Sequence, residues 1–242
     1  MRLPPIPGPV QAMAWDYPRP RGQEPGEGGR PPPAGMVREG TPSLEVRWIF
    51  PGQMETGVAR WLGRFPAETD SRADIYLVNP ELRGLSVKIR AGTALEVKEY
   101  RGSRGTLLVG ARVSGHLQSW QKWSFPFNPP SRGIGDPPGW RPVDKRRRTS
   151  RFSFADGRIA ASAQRLAGEA QCAVELTALR TGGQSWWSLG FETTGPADLL
   201  RSALEATAAL VFAQPLPDGL QPGLDESRSY AEWLLPGPSA AP

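Results

Sequence analysis

Lys88 and Arg90, then Glu96 and Lys98, stand at every second position of "LSVKIRAGTALEVKEY", two strand-like runs split by three turn residues. Residues two apart on a strand project from the same face, so these four side chains share one side of a hairpin. The same spacing collects long charged side chains elsewhere: Glu45 and Arg47 in "SLEVRWIF", Lys122 in "LQSWQKWSF", Arg151 in "RFSFADG", Glu175 in "CAVELTALR" and Glu192 in "WWSLGFETTG". Few Thr, Ser or Gln accompany them. One reading is a plain outer sheet face, where surface ion pairs contribute little. The other is the inner wall of a closed barrel that stays wet or holds a highly charged ligand. There, basic groups paired by phosphates and carboxylates paired by divalent cations would satisfy one another.

The elements that must position these residues read mostly as strands. In "SLEVRWIF" the polar positions alternate with Leu44, Val46, Trp48 and Phe50. "RADIYLV", "LSVKIRA", "ALEVKEY", "GTLLVGARVSG", "LQSWQKWSF", "RFSFADG", "CAVELTALR" and "WWSLGFETTG" follow, with Ala91, Gly92 and Thr93 closing a hairpin. Val58, Trp61, Leu62 and Phe65 fall at helical spacing, and "PADLLRSALEATAALVFAQ" reads as a helix with Pro196 in its first turn. Tyr230, Trp233 and Leu234 of "SYAEWL" suit one docking helical turn. The Pro- and Gly-rich stretch from Pro126 to Arg151 reads as a long loop, so its run Lys145, Arg146, Arg147, Arg148 is expected as a solvated loop or as a funnel over a barrel mouth. Of the adjacent Trp186 and Trp187, the second is expected on the covered side with Leu189, the first as a stacking platform or rim packing. About eight strands with a few covering helices make an α+β inventory, an antiparallel closed barrel.

The 242 residues suit one domain with tails, given 27 Pro and 28 Gly. Residues 1–40 and 236–242 lack apolar periodicity and read as a disordered Pro/Gly-rich tail and a short second tail, leaving 41–235 as the domain. The formal charge of +5, with Arg far outnumbering Lys, suits an anionic partner, because guanidinium grips phosphate bidentately. A single Cys, Cys172, excludes an intramolecular disulfide or a Cys-based zinc site, and it reads as a buried inert thiol. A single His rules out a zinc-protease pair, and no Gly-rich stretch ends in the lysine motif of a P-loop. No apolar run matches a signal peptide or a membrane span, so a cytoplasmic protein that binds no membrane is expected.

The ordered succession of these motifs resembles the CYTH, or triphosphate tunnel metalloenzyme, superfamily. "SLEVRWIF" is similar to its opening strand, with Glu45 at the second glutamate and Arg47 at the lysine. "LSVKIR" resembles the strand bearing two basic residues, "ALEVKEY" the next strand with its lysine at Lys98, and "WQKWSF" a strand whose lysine faces phosphate. "AVELTAL" and "SLGFETTG" resemble late strands that present carboxylates. The resemblance runs from about Ser43 to Ala213, and it implies an antiparallel barrel around a charged tunnel. It also implies that Arg47, Lys88, Arg90, Lys98 and Lys122 bind phosphate and that Glu45, Glu175 and Glu192 hold Mg²⁺ or Mn²⁺; their place on the same polar strand faces adds Arg151 to the phosphate-binding set and Glu96, beside Lys98, as a replacement metal ligand.

Three positions depart from the pattern: Ser43 and Gly190 stand where acids are usual, and Ser124 where an arginine follows the lysine. The phosphate-binding half is therefore better kept than the metal-binding half. The expected ligand is a small phosphate-rich anion, a triphosphate or polyphosphate, rather than a nucleic acid. A divalent-metal-dependent phosphohydrolase and a non-catalytic anion-binding protein on the same fold both remain open. A lipocalin-like carrier would instead need an apolar barrel interior.

Overall fold

The computed structural model describes residues 40–127, 138–155, 157–161 and 169–235. The tails expected at 1–40 and 236–242 lie outside these residues, Gly40 excepted, as do 128–137 of the expected loop. In chain order the strands are β1 (Thr41–Pro51), β2 (Glu68–Leu77), β3 (Leu85–Arg90), β4 (Ala94–Val109), β5 (Val113–Pro126), β6 (Trp140–Ala155), β7 (Arg158–Ala161), β8 (Ala170–Thr181) and β9 (Gln184–Thr194). The α-helices are α1 (Thr56–Leu62), α2 (Leu200–Val211) and α3 (Tyr230–Leu234). The strands pair antiparallel in the order β2-β3-β4-β5-β1-β9-β8-β6, and β2 pairs again with β6. The result is a closed eight-stranded barrel, with β7 as a short hairpin strand on the end of β6. Among the described residues no helix is long and apolar enough to cross a membrane.

Two strands differ from the sequence expectation for identifiable reasons. "ALEVKEY" and "GTLLV" form one strand, β4, because Gly102 and Gly105 take positive φ values of 114° and 85° at register shifts against β5. Glycine accommodates such bulges without ending the strand. The larger correction is β6, which replaces the second half of the expected loop and carries the basic run as barrel wall. Pro142 is tolerated because its pairing with β8 begins only at Asp144. The basic run is therefore split by the pleat. Lys145 and Arg147 face inward, whereas Arg148 faces outward and donates to the carbonyls of Gly63 and Phe65, just past α1.

The turn between β3 and β4 comes out as expected, with Ala91 at φ 48° and Gly92 at φ 70°, two left-handed residues that match the twist of a tight hairpin. The long helix begins later than expected. Pro196 to Leu199 form a turn, and α2 starts at Leu200.

The main hydrophobic core lies outside the barrel. Leu44, Val46, Trp48 and Phe50 of β1 join Val174 and Leu176 of β8 and Trp187, Leu189 and Phe191 of β9, beneath Leu204, Ala208 and Val211 of α2 and Leu62 of α1. Cys172 belongs to this core, where burial pushes its thiol up to about 11. Trp187 stacks on Phe50 at 4.2 Å between ring centroids, and Trp186 packs edge-on against Trp233.

A second, smaller apolar cluster fills one end of the barrel interior. Ile49, on the same face of β1 as Glu45 and Arg47, meets Tyr76, Val143, Leu179 and Leu234 there. Helix α3 completes this floor, its start fixed by a capping box between Ser229 and Glu232. The barrel is therefore greasy outside, charged inside and stopped at one end.

If the outer core holds the barrel together, truncating its helix contact should be costly. Leu204→Ala, at a fully buried site, is expected to lower stability by about 2–5 kcal/mol, and Leu210→Ala, on the exposed side of α2, by well under ~1 kcal/mol. Urea unfolding of the two variants against the parent measures this; equal losses would contradict it.

Candidate functional site

All ten charged residues singled out from alternation line a single cavity inside the barrel, about 250 Å³ in volume. That is many times the roughly 10–15 Å³ that admits one water. The cavity grades from an open end to a closed one. Near the open end the Arg90 side chain keeps 42% of its surface exposed, while Lys145 at the floor keeps 2%. Arg151 also marks the open end, and its Nε lies 3.8 Å from Glu68 Oε2.

The side chains form four linked groups. Across β3, β4 and β5, Glu96 gathers three cations: Lys88 Nζ at 3.0 Å, Arg90 Nη1 at 3.1 Å and Lys122 Nζ at 3.5 Å. Deeper, Asp74 of β2 is fully buried and also serves three: Arg72 Nε at 3.0 Å, Lys145 Nζ at 3.2 Å and Lys88 Nζ at 3.3 Å. Glu175 of β8 accepts from Arg147 Nη1 at 2.6 Å and Arg47 Nη2 at 3.2 Å. The fourth group reverses the ratio. Lys98 alone holds two carboxylates, donating to Glu45 Oε1 at 2.5 Å and Glu192 Oε1 at 3.1 Å.

Two tyrosines bridge the charged walls and the apolar floor. Lys145 Nζ donates to Tyr76 Oη at 2.5 Å and lies 4.0 Å from the centre of the Tyr230 ring. The guanidinium of Arg47 covers the same ring at 4.5 Å, an arrangement in which the ring face attracts both cations. Tyr230 Oη is also 2.9 Å from Ser188 Oγ.

Arg72, Asp74, Tyr76, Lys145, Arg147 and Tyr230 were not among the expected site residues. The first three had a signal, since "RADIY" alternates Arg, Asp and Tyr as plainly as "VKIR" alternates its bases. Lys145 and Arg147 had the same signal, obscured by the surrounding prolines.

The charged groups hold one another ionised. Burial opposes ionisation of Glu96, but Lys88, Lys122 and Arg90 outweigh it and hold the carboxyl down at about 2. Asp74 and Glu175 are likewise opposed by burial and are held well below the usual carboxylate range, by Lys88 and Lys145 for the first and Arg47 and Arg147 for the second. Lys98 is raised despite burial, because Glu192 and Glu45 flank it. Lys145 goes the other way: burial lowers it, and neighbouring Lys88 adds to the effect. Tyr76 is pushed up to about 12, chiefly by burial.

Across the whole lining, nine basic side chains face four glutamates; Asp74 behind them, Asp70 on Arg72 and Arg147, and Glu68 beside Arg151 bring the acids to seven, which still leaves the bases in excess. Trp120 and Gln171 also line the cavity, and the buried Trp120 Nε1 and Gln171 Nε2 donate to no acceptor. The surplus of cations suits an anion with many acceptor oxygens. Such a lining rules out the apolar carrier.

The carboxylates expected to hold Mg²⁺ or Mn²⁺ do not assemble for it. Among the described residues no three Asp, Glu, His or Cys side chains gather closely enough to hold a metal ion. Ser43 donates to Glu45 Oε1 at 2.8 Å. At Gly190 a Cβ would stand 2.6 Å from Arg47 Cζ, so the guanidinium fills the space a side chain would need. These divalent ions want several hard oxygen ligands, and here Glu45, Glu96, Glu175 and Glu192 are each already paired with a basic side chain.

No protein-family profile matches the sequence, and no curated protein matches it either. The barrel is compatible with a CYTH-like tunnel fold, and the site has to be read from its own geometry.

Because Glu96 is harder to protonate in the folded chain than in the unfolded one, its contribution is present above about pH 4.5 and is lost as pH falls toward 2. Full loss corresponds to roughly 3 kcal/mol. Urea unfolding at a series of pH values should show the parent losing stability steeply over this window. Glu96→Gln should be less stable at pH 6 and should show a flatter acid limb. Parallel acid limbs would contradict the assignment.

Proposed function

We propose that this protein binds a phosphate-rich polyanion inside its barrel, as a divergent member of the CYTH-like group. The observation that carries the reading is the imbalance of the lining, nine basic side chains to four glutamates within one cavity closed at its floor. Clustered cations in a partly desolvated space repel one another, and a ligand bearing several negative charges relieves that repulsion. A triphosphate or short polyphosphate chain has the narrow form and the closely spaced charges to do so along the barrel axis.

Entry is from the end marked by Arg90, Lys122 and Arg151. Their partial exposure lets them meet a hydrated anion before it is stripped of water. Deeper in, Arg47, Lys145 and Arg147 receive the leading phosphate group. They are held in place beforehand by Glu175, Asp74 and the faces of Tyr76 and Tyr230. Fixing donors before the ligand arrives reduces the ordering cost of binding.

For such a ligand the resemblance implies phosphohydrolase chemistry, and an assay of phosphate release separates a hydrolase from a binder. Binding is tested first. Arg90→Ala should weaken tripolyphosphate binding, measured by calorimetry, about tenfold, the loss of one charge-assisted contact of ~1.5 kcal/mol. Arg101→Ala serves as the control, since Arg101 is exposed, pairs with Glu99 and does not line the cavity; it should leave the affinity unchanged. Equal affinities in parent, Arg90→Ala and Arg101→Ala would place the ligand outside the barrel or show that there is none.

A further inference from the structure

Glu45 and Glu192 are direct cross-strand partners of β1 and β9, and both face the cavity. Like charges placed opposite one another destabilise a sheet, so this pair needs a cation between its members. The structure supplies one from within. Lys98 sits on β4, two strands away from β1, and its four-carbon stem crosses β5 to bring Nζ to both Oε1 atoms. An ammonium has three N–H donors and no acceptor, so two carboxylates use it well.

The neighbouring space is taken in the same way. The Arg47 guanidinium lies over Gly190 on β9, where a side chain would collide with it, and its charge acts on Glu45, Glu192 and Glu175. A divalent ion approaching Glu45 and Glu192 would meet an ammonium already seated between them and a guanidinium beside it. Among the described residues no third carboxylate stands near enough to complete a shell. The absence of acids at positions 43 and 190 and the placement of Lys98 and Arg47 therefore have one explanation.

We propose that Lys98 is the resident cation of this cavity, standing between Glu45 and Glu192 in place of a divalent metal, and that the polyanion is bound free of metal. The choice of ligand form rests on the polyanion-binding reading above; the role of Lys98 does not. The substrate class is thereby narrowed to the uncomplexed polyanion. Mg²⁺, which chelates phosphate chains in solution, competes with the protein for its ligand.

Two titrations of the parent protein and one of each of two variants decide the matter. In calorimetry with tripolyphosphate, binding should persist in buffer containing EDTA and should weaken several-fold when Mg²⁺ is added in excess of the ligand. Binding seen only with Mg²⁺ overturns the inference but keeps the polyanion reading. Absence of binding in both buffers overturns that reading and, with it, the ligand form. The second titration uses Mn²⁺ alone, followed by electron paramagnetic resonance, with no polyanion present. The parent should bind no Mn²⁺ below about 1 mM, and Mn²⁺ binding by the parent at micromolar concentration overturns the role given to Lys98. In Lys98→Met the two glutamates are left without their cation, so Mn²⁺ binding should become several-fold tighter than in the parent while staying weak for want of a third ligand, and the gain should vanish in Lys98→Met with Glu192→Gln. A folded Lys98→Met protein that gains no Mn²⁺ also counts against the proposal. The parent titrations need no variant, so they decide even if Lys98→Met fails to fold.

Discussion

A buried charge must be answered by another charge, and that constraint organises this barrel. Removing an ion from water costs several kcal/mol unless its partners are close and well aligned. Here each acid of the interior is shared among bases, or each base among acids: Glu96 and Asp74 with three cations, Glu175 with two, Lys98 with two carboxylates. The network as a whole leaves bases in excess. Breaking one link would strand a charge in a space that only partly hydrates it, which explains why the acids are held so far toward ionisation.

Such an interior cannot supply the hydrophobic drive for folding, so the drive comes from outside. The even-numbered residues of β1 and the alternating apolar residues of β8 and β9 point outward into a core closed by α1 and α2. The pleat thus serves two purposes in one strand, with Glu45 and Arg47 inward and Val46 and Trp48 outward. At one end the inward face changes character, where Ile49, Leu179 and Leu234 make the apolar floor that α3 completes. A cavity with one mouth and a floor of opposed tyrosines gives a ligand a definite direction of entry.

Much of this was legible in the sequence wherever alternation was uninterrupted. The ten residues chosen by two-residue spacing all line the cavity, and the turn at Ala91 and Gly92 follows from residue types alone. What was hidden had physical causes. Pro142 and the glycines ahead of β6 are loop residues by local preference, and only pairing with β2 and β8 makes that segment a strand, so Lys145 and Arg147 read as loop residues rather than as barrel wall. Gly102 and Gly105 punctuate β4 but bulge it rather than end it. Tyr230 enters the cavity from a five-residue helix far along the chain, a placement that no local pattern encodes. Gly190 could be noticed as a missing acid; that Arg47 fills its space could not.

The central claim is that the surplus positive charge of the interior holds a polyanion along the barrel axis. A crystal structure grown with millimolar tripolyphosphate and no divalent metal tests it most directly. The account predicts density for a phosphate chain between the Arg90 and Lys122 mouth and the Arg47, Lys145 and Arg147 floor, with Lys98 still bridging Glu45 and Glu192. A barrel holding only water while the ligand sits on outer arginines, or a metal ion seated between Glu45 and Glu192, would contradict it.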